Sequence, residues 1–223
     1  METKYYYRVV DRTGNPEAPF RVTDYKHLPI YFYRGKYIQK VKIPPTAKLL
    51  PDTSYYGMEW ITDQIIVIEK YNIKKNFDLW FNKNLFDYNI GSGSLAECCS
   101  EHFAKWFDKN MYNYKDCSYP LLRYCSQYFH EWFDKNLVDC NRDSYLLCVY
   151  CPQYFRYWFD KNTFNYERYS HLLPIYFPEY FDVWFDKNLF NYKKGAYELA
   201  KHCPQYFNVW YDSKIEESKI ELK

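Results

Sequence analysis

Glycine is scarce in this 223-residue chain, with only six in all. None of the six sits in a phosphate-binding loop. Gly91-Ser92-Gly93-Ser94 lacks the lysine that a P-loop requires and reads as a flexible entry to a helix. No apolar run approaches the roughly 18 residues that a membrane-spanning helix needs, and Met1 to Tyr7 is too polar for a signal peptide. Strong net charge is missing too: at +2 the chain has none of the basic excess of a dedicated nucleic-acid binder. His27, His102, His130, His171 and His202 make no H-E-x-x-H or similar ligand spacing, and no nucleophile elbow occurs. The expectation is a soluble, cytoplasmic protein without active site, cofactor or metal.

What the chain has in quantity is aromatic side chain: 23% of residues, with Tyr 28 and Phe 17. That is far above the content of a disordered chain, so a packed structure is expected. Abundant Tyr, Phe, Asn, Lys and Ile beside so little Gly is what an AT-rich genome encodes.

Trp80, Trp106, Trp132, Trp158, Trp184 and Trp210 recur every 26 residues. A fixed period of about 20 to 50 residues marks an array whose units bury their apolar faces on one another. Aligned on tryptophan, Ser92, Ser118, Ser144 and Ser170 share one phase (Ala196 in the fifth copy) and read as N-caps of a first helix. Leu121, Leu147, Leu173 and Leu199 follow on its apolar side, and the helix ends near the phase of Cys99, Cys125, Cys151, Phe177 and Cys203. Next comes Ser100, Ser126, Pro152, Pro178 or Pro204, and proline there starts a second helix. Phe155, Trp158 and Phe159 fall on one face of it at i, i+3, i+4. It is expected to close at Asp160-Lys161-Asn162, with lysine in the last turn and asparagine in the left-handed closing conformation. The expected fold is mainly α: an α-solenoid of helical-hairpin repeats over 71–212, followed by a charged tail or cap over 213–223.

A phase that accepts Cys or Phe is a buried apolar site, so Cys99, Cys125, Cys151 and Cys203 are expected in the core. Cys148 and Cys151 form a lone C-x-x-C with no second pair at zinc spacing. Asp108, Asp134, Asp160 and Asp186 recur with Lys109, Lys135, Lys161 and Lys187. Their sameness speaks against acid–base catalysis, which needs differently tuned groups. A solvated or inter-repeat charge ladder is expected.

Residues 1–70 carry no tryptophan phase. Tyr5 to Val10, Ile30 to Tyr33, Tyr37 to Ile43 and Ile65 to Ile68 are short strand-like runs, with Pro44-Pro45 as a stop and Asp11 to Pro16 as a turn. A small β or α+β N-terminal domain is expected, docked on the array because ~70 residues alone bury a marginal core. Tyr31-Phe32, Tyr37-Ile38-Gln39-Lys40-Val41-Lys42-Ile43-Pro44 and Asp63-Gln64-Ile65-Ile66-Val67 resemble the N-terminal segment of a paralogous group of repeat proteins in giant DNA viruses of the mimivirus type. Those proteins are commonly labelled ankyrin-repeat or uncharacterised. The match covers about residues 28–70. It implies a viral origin and a domain-plus-array layout, and it carries over no catalytic residue. The array departs from the label, since ankyrin units run to about 33 residues with a T-P-L-H-like start.

Function is expected where residues vary while the frame stays fixed. These positions are the hairpin tips Lys115, Asp116, Cys117, Asn141, Arg142, Asp143, Glu167, Arg168, Tyr169, Lys193 and Lys194. To them are added His130, Glu131, Arg156, Tyr157 and Asp182, facing out from the second helix. The first expectation is a non-enzymatic scaffold or adaptor that holds a viral or host protein in the host cytoplasm or viral factory, away from membranes. A second is RNA or ribonucleoprotein binding, with Lys115, Arg142, Arg168, Lys193 and Lys194 on phosphates beside Tyr119, Tyr145, Tyr169 and Tyr197 as stacking platforms. A third, an activity in residues 1–70, has only the unassigned fold of that segment in its favour.

Overall fold

Three of the four expected strand-like runs become strands, β1 (Tyr6–Val10), β3 (Tyr37–Lys42) and β6 (Ile66–Asn72), and three strands arise outside those runs, β2 (Phe20–Val22), β4 (Leu49–Asp52) and β5 (Glu59–Thr62). The computed structural model describes residues 4–11, 18–53 and 58–211. Most of the expected turn at Asp11 to Pro16, and all of the tail over 213–223, lie outside the described residues. The chain divides into two compact units, Met1–Cys125 and Ser126–Lys223, so the division falls within the tryptophan series.

In the first unit the strands form two antiparallel sheets, ordered β1-β3-β6 and β2-β5-β4. Directly opposed residues share a face, which pairs Tyr6 with Val41 and Val22 with Trp60. Tyr6, Val22 and Val41 are buried together, and Ile43, Leu49, Trp60 and Ile65 pack around them. Ile30 to Tyr33, expected as a strand-like run, lie instead in a 3-10 helix, Leu28–Arg34. Pro29 presets its first turn, and Leu28, Tyr31 and Phe32 bury one side at helical spacing.

The repeats differ from expectation at both helix boundaries. First helices start at Tyr88, Tyr114, Tyr166 and Tyr192, four residues ahead of the serine phase. Asp87, Asn113 and Asn165 cap three of them, their side chains accepting the N–H of Asn89, Asp116 and Arg168. The serines are therefore not caps. Ser92 and Ser144 are fully buried and donate their hydroxyls to the carbonyls of Tyr88 and Cys140, at 2.5 and 2.6 Å. Ser92, Ser144 and Ser170 also accept the backbone N–H of Asn113, Asn165 and Asn191 in the following repeat, at 3.0–3.1 Å. A residue that reads as a cap within one repeat is a lock between two.

The second helix is one turn long. A 3-10 turn, Pro152–Tyr154, leads into Phe155–Trp158, and Phe159 is already extended. Asp160-Lys161-Asn162 is thus not a helix end but a turn of its own. Asp108, Asp134, Asp160 and Asp186 each accept the N–H two residues on through the side chain, at 2.8–3.0 Å. Such Asx turns satisfy the backbone locally, so these carboxylates shape connectors. The lysine phase bridges repeats: Lys83 pairs with Asp108 at 2.9 Å, and Lys161 donates to the Phe185 carbonyl at 3.0 Å.

Gly91 to Ser94, expected as a flexible entry, sit inside the helix Tyr88–Cys98. Glycine is needed there for close approach: a Cβ on Gly91 would lie 2.2 Å from the Phe86 ring.

Candidate interaction surface

Each repeat is held by an aromatic lattice that fixes which side chains point outward. The indoles of Trp106, Trp158, Trp184 and Trp210 donate to the carbonyls of Cys99, Cys151, Phe177 and Cys203, at 2.7–3.1 Å. Tyr88, Tyr166 and Tyr192 donate their hydroxyls to the carbonyls of Trp106, Trp184 and Trp210 in the next repeat. Phe155 is sandwiched between Phe159 of its own repeat, with centroids 4.6 Å apart, and Tyr180 of the next, at 5.0 Å. Phe181 stacks on Phe185 and Tyr206 in the same way.

In the first unit Tyr25 and the Leu28–Arg34 helix take the place of a preceding repeat. Trp80 donates to the Ile73 carbonyl just past β6, at 2.8 Å, and Tyr25 donates its hydroxyl to the Trp80 carbonyl at 3.0 Å. Phe32 packs edge-on against the Trp80 ring. The docking expected from the marginal size of the N-terminal segment is this set of contacts.

The cysteine phase is buried as expected: Cys99, Cys125, Cys151 and Cys203 have no solvent exposure. Burial pushes the Cys125 and Cys151 thiols up to about 12 and Cys203 up to about 11. A buried thiol in apolar surroundings is inert because the reactive form is the thiolate. Among the described residues no three His, Cys, Asp or Glu side chains gather as a metal site would need.

Phe and Trp at i and i+3 of the one-turn helix face inward, except that Phe207 in the last copy is 46% exposed, so the two residues between them face out. Those pairs are Asp78-Leu79, Ala104-Lys105, His130-Glu131, Arg156-Tyr157, Asp182-Val183 and Asn208-Val209, all exposed. In the second unit the structure brings the candidates here together. His130 meets Tyr157 nearly edge-on at 4.7 Å, and the Arg156 guanidinium lies 5.1 Å from the Tyr180 ring. Tyr157, Val183 and Val209 share one phase in successive repeats and are 59%, 44% and 59% exposed. Val183 and Val209 were missed by a reading that looked for charged and aromatic residues. The signal was present, as the outward position runs Leu79, Lys105, Glu131, Tyr157, Val183 and Val209 beside an unchanging Phe and Trp.

The hairpin tips are not loops. Lys115 and Asp116 lie in the first turn of Tyr114–Tyr124 and Cys117 at a non-helical kink within it, Glu167, Arg168 and Tyr169 in Tyr166–Tyr169, and Lys193 and Lys194 in Tyr192–His202. Asn141 and Arg142 stand in a turn ahead of Ser144–Tyr150, with Asp143 at its N-cap. Arg142 grips Asp143 through Nε and Nη2, at 3.0 and 2.8 Å, and Asp143 is buried. Lys194 reaches the Glu167 carbonyl at 3.3 Å, and Arg168 covers the Tyr169 ring, which leans on Tyr145.

Among the described residues no helix is long and apolar enough to cross a membrane. No family model, curated protein or solved structure matches the chain.

Proposed function

We propose that this protein is a non-enzymatic interaction scaffold. Its 26-residue hairpins stack as an α-solenoid and hold another protein, viral or host, against the outward side of the one-turn helices. The supporting observation is the run Tyr157, Val183 and Val209, exposed at one phase while the neighbouring Phe155, Trp158, Phe181, Trp184 and Trp210 are buried in the frame. Contiguous exposed apolar side chains rimmed by polar ones mark interaction sites in soluble proteins. Asp182 and Asn208 supply such a rim beside them.

RNA binding through the tips is the weaker reading, because Arg142 is committed to Asp143 and Lys194 to a backbone carbonyl. A photo-crosslinking amino acid at position 157 separates the two. The scaffold reading expects a stoichiometric protein adduct from source-cell extract that survives nuclease and is lost when Val209→Glu is added. A nuclease-sensitive adduct, or none, sinks it.

A further inference from the structure

A cavity of about 380 Å³ opens among β1, β2, β5 and the Leu28–Arg34 helix. Arg8, Tyr31, Arg21, Arg34 and Glu59 line it. Two carboxylates already hold two of the guanidiniums. Arg21 donates from Nε to Asp52 at 2.9 Å, and Arg34 holds Glu59 through both terminal nitrogens, Nη2 to Oε2 at 3.0 Å. Arg8 is left over. Its guanidinium lies 5.3 Å from the Phe20 ring, but among the described residues its buried Nε and Nη1 meet no hydrogen-bond acceptor, and the hydroxyl of Tyr31, a residue only 2% exposed, has no partner either.

A buried polar group without a partner is costly, and a buried charge more so. Arg8 cannot escape by losing its proton, since a guanidinium stays charged in proteins. Tyr31 is pushed up to about 12, chiefly by burial, so it stays a hydroxyl able to donate. Gln39, opposite Arg8 across β1 and β3, is buried with its own Oε1 unbonded. Its amide is neutral and cannot balance the guanidinium.

We propose that this cavity binds a small carboxylate, which takes the Nε–Nη2 edge of Arg8 and accepts the hydroxyl of Tyr31, with its apolar stem against Pro19 and Ile61. Charge and shape favour this class. The planar guanidinium fork matches a planar carboxylate in two parallel bonds. Among the described residues one cation is in excess, which a monocarboxylate neutralises and a phosphate monoester, at about −1.5 to −2, overshoots. The volume lies at the small end of ligand pockets, about 300–1,000 Å³, which suits a small molecule.

The test titrates benzoate, benzamide and inorganic phosphate into the full chain at constant ionic strength, following the Arg8 Nε–H resonance by NMR. Benzoate is expected to shift it saturably and benzamide to leave it in place. Tyr31→Phe keeps the ring and removes the donor, and is expected to weaken benzoate binding at least threefold. Arg8→Met is expected to abolish the thermal shift that benzoate produces. Equal responses to benzoate and benzamide, tighter saturation by phosphate, or unweakened binding by Tyr31→Phe would each overturn the proposal. The Tyr31→Phe arm decides the matter should Arg8→Met fail to fold.

Discussion

The indole N–H of Trp158 donates to the carbonyl of Cys151 at 3.0 Å, seven residues back along the chain. The same pair closes at Trp106 and Cys99, Trp184 and Phe177, and Trp210 and Cys203. What the cysteine phase conserves from copy to copy is therefore a buried backbone acceptor. Its side chain need only be apolar, which is why Phe177 can stand in that phase.

Trp158→Ala should cost about 3–5 kcal/mol, as truncating a large buried aromatic does. Trp158→Phe should cost less, roughly 1 kcal/mol for the lost bond plus the missing ring volume. The Cys151 carbonyl keeps its second donor, the Tyr154 N–H at 3.1 Å, so no acceptor is stranded. Urea midpoints measure both, and a Phe variant as stable as the unaltered chain would show that the bond contributes nothing.

Thiol chemistry should follow burial. Cys98 and Cys117 are half-buried and the other six cysteines are buried, so a thiol reagent should modify those two first and the remainder only on unfolding. Burial raises the folded-state Cys125 and Cys151 thiols from 9.0 to about 12. The sign follows from which state loses its proton first. Below pH 9 the thiols are protonated in both states and their full contribution is present. Between about 9 and 12 only the unfolded chain ionises, so stability must fall as pH rises. A denaturation midpoint that stays flat from pH 8.5 to 10.5 would contradict this.

The repeat period, the buried tryptophans and the buried cysteine phase were legible because a constant spacing and the Cys-to-Phe exchange are properties of one chain read against itself. Serine 144 and aspartate 160 were not, for a physical reason. Ser144 bonds Asn165, 21 residues on, and no single-repeat pattern separates that lock from a cap. Asp160-Lys161-Asn162 has the composition of a helix end and of an Asx turn alike. The 3-10 helix at Leu28–Arg34 was hidden because its buried Tyr31 and Phe32 are also β-formers. Arg8 carried no sequence signal, since its isolation depends on Arg21 and Arg34 having found Asp52 and Glu59.

Arg142→Glu should destabilise the second unit. It strands Asp143, whose side chain is 4% exposed, beside a like charge. Breaking a fully buried pair costs about 3–5 kcal/mol. With Arg142 itself 40% exposed, screening by solvent should reduce the loss to about 1–3 kcal/mol. Lys193→Glu, on an exposed helix start, should stay within about 0.5 kcal/mol. Equal midpoints for the two variants would remove any structural role from the Arg142–Asp143 pair.

The copy that begins at Asp139 breaks the pattern of its neighbours, and its helix suffers for it. Where the other copies have Tyr88, Tyr114, Tyr166 and Tyr192, it has Cys140, and its first helix begins only at Ser144. Cys140 lacks the hydroxyl that Tyr166 and Tyr192 send to the Trp184 and Trp210 carbonyls. Asp139 already accepts the N–H of Asn141 and Arg142, at 3.1 and 3.0 Å, so Cys140→Tyr alone should restore the missing bond to Trp158, worth about 1 kcal/mol. Helix content by circular dichroism and the urea midpoint should both rise, and a fall in either would show that this copy has repacked around cysteine.

The outward stripe and the tips can be told apart as binding surfaces by one comparison. Val183→Glu with Val209→Glu changes only exposed side chains, so stability should move by no more than about 0.5 kcal/mol per site. The same pair places two carboxylates where an apolar contact is proposed, and a desolvated, unpaired charge at the centre of an interface costs far more than one at its rim. Partner capture should therefore fall at least tenfold. Arg168→Glu with Lys193→Glu alters the tips by twice that change of charge, and should slow association at low salt while leaving dissociation nearly unchanged. Surface plasmon resonance with the photo-captured partner reads both rates. If the tip variant loses the complex and the valine variant keeps it, the interface belongs to the helix starts around Tyr145 and Tyr169, and the stripe is only a solvated face.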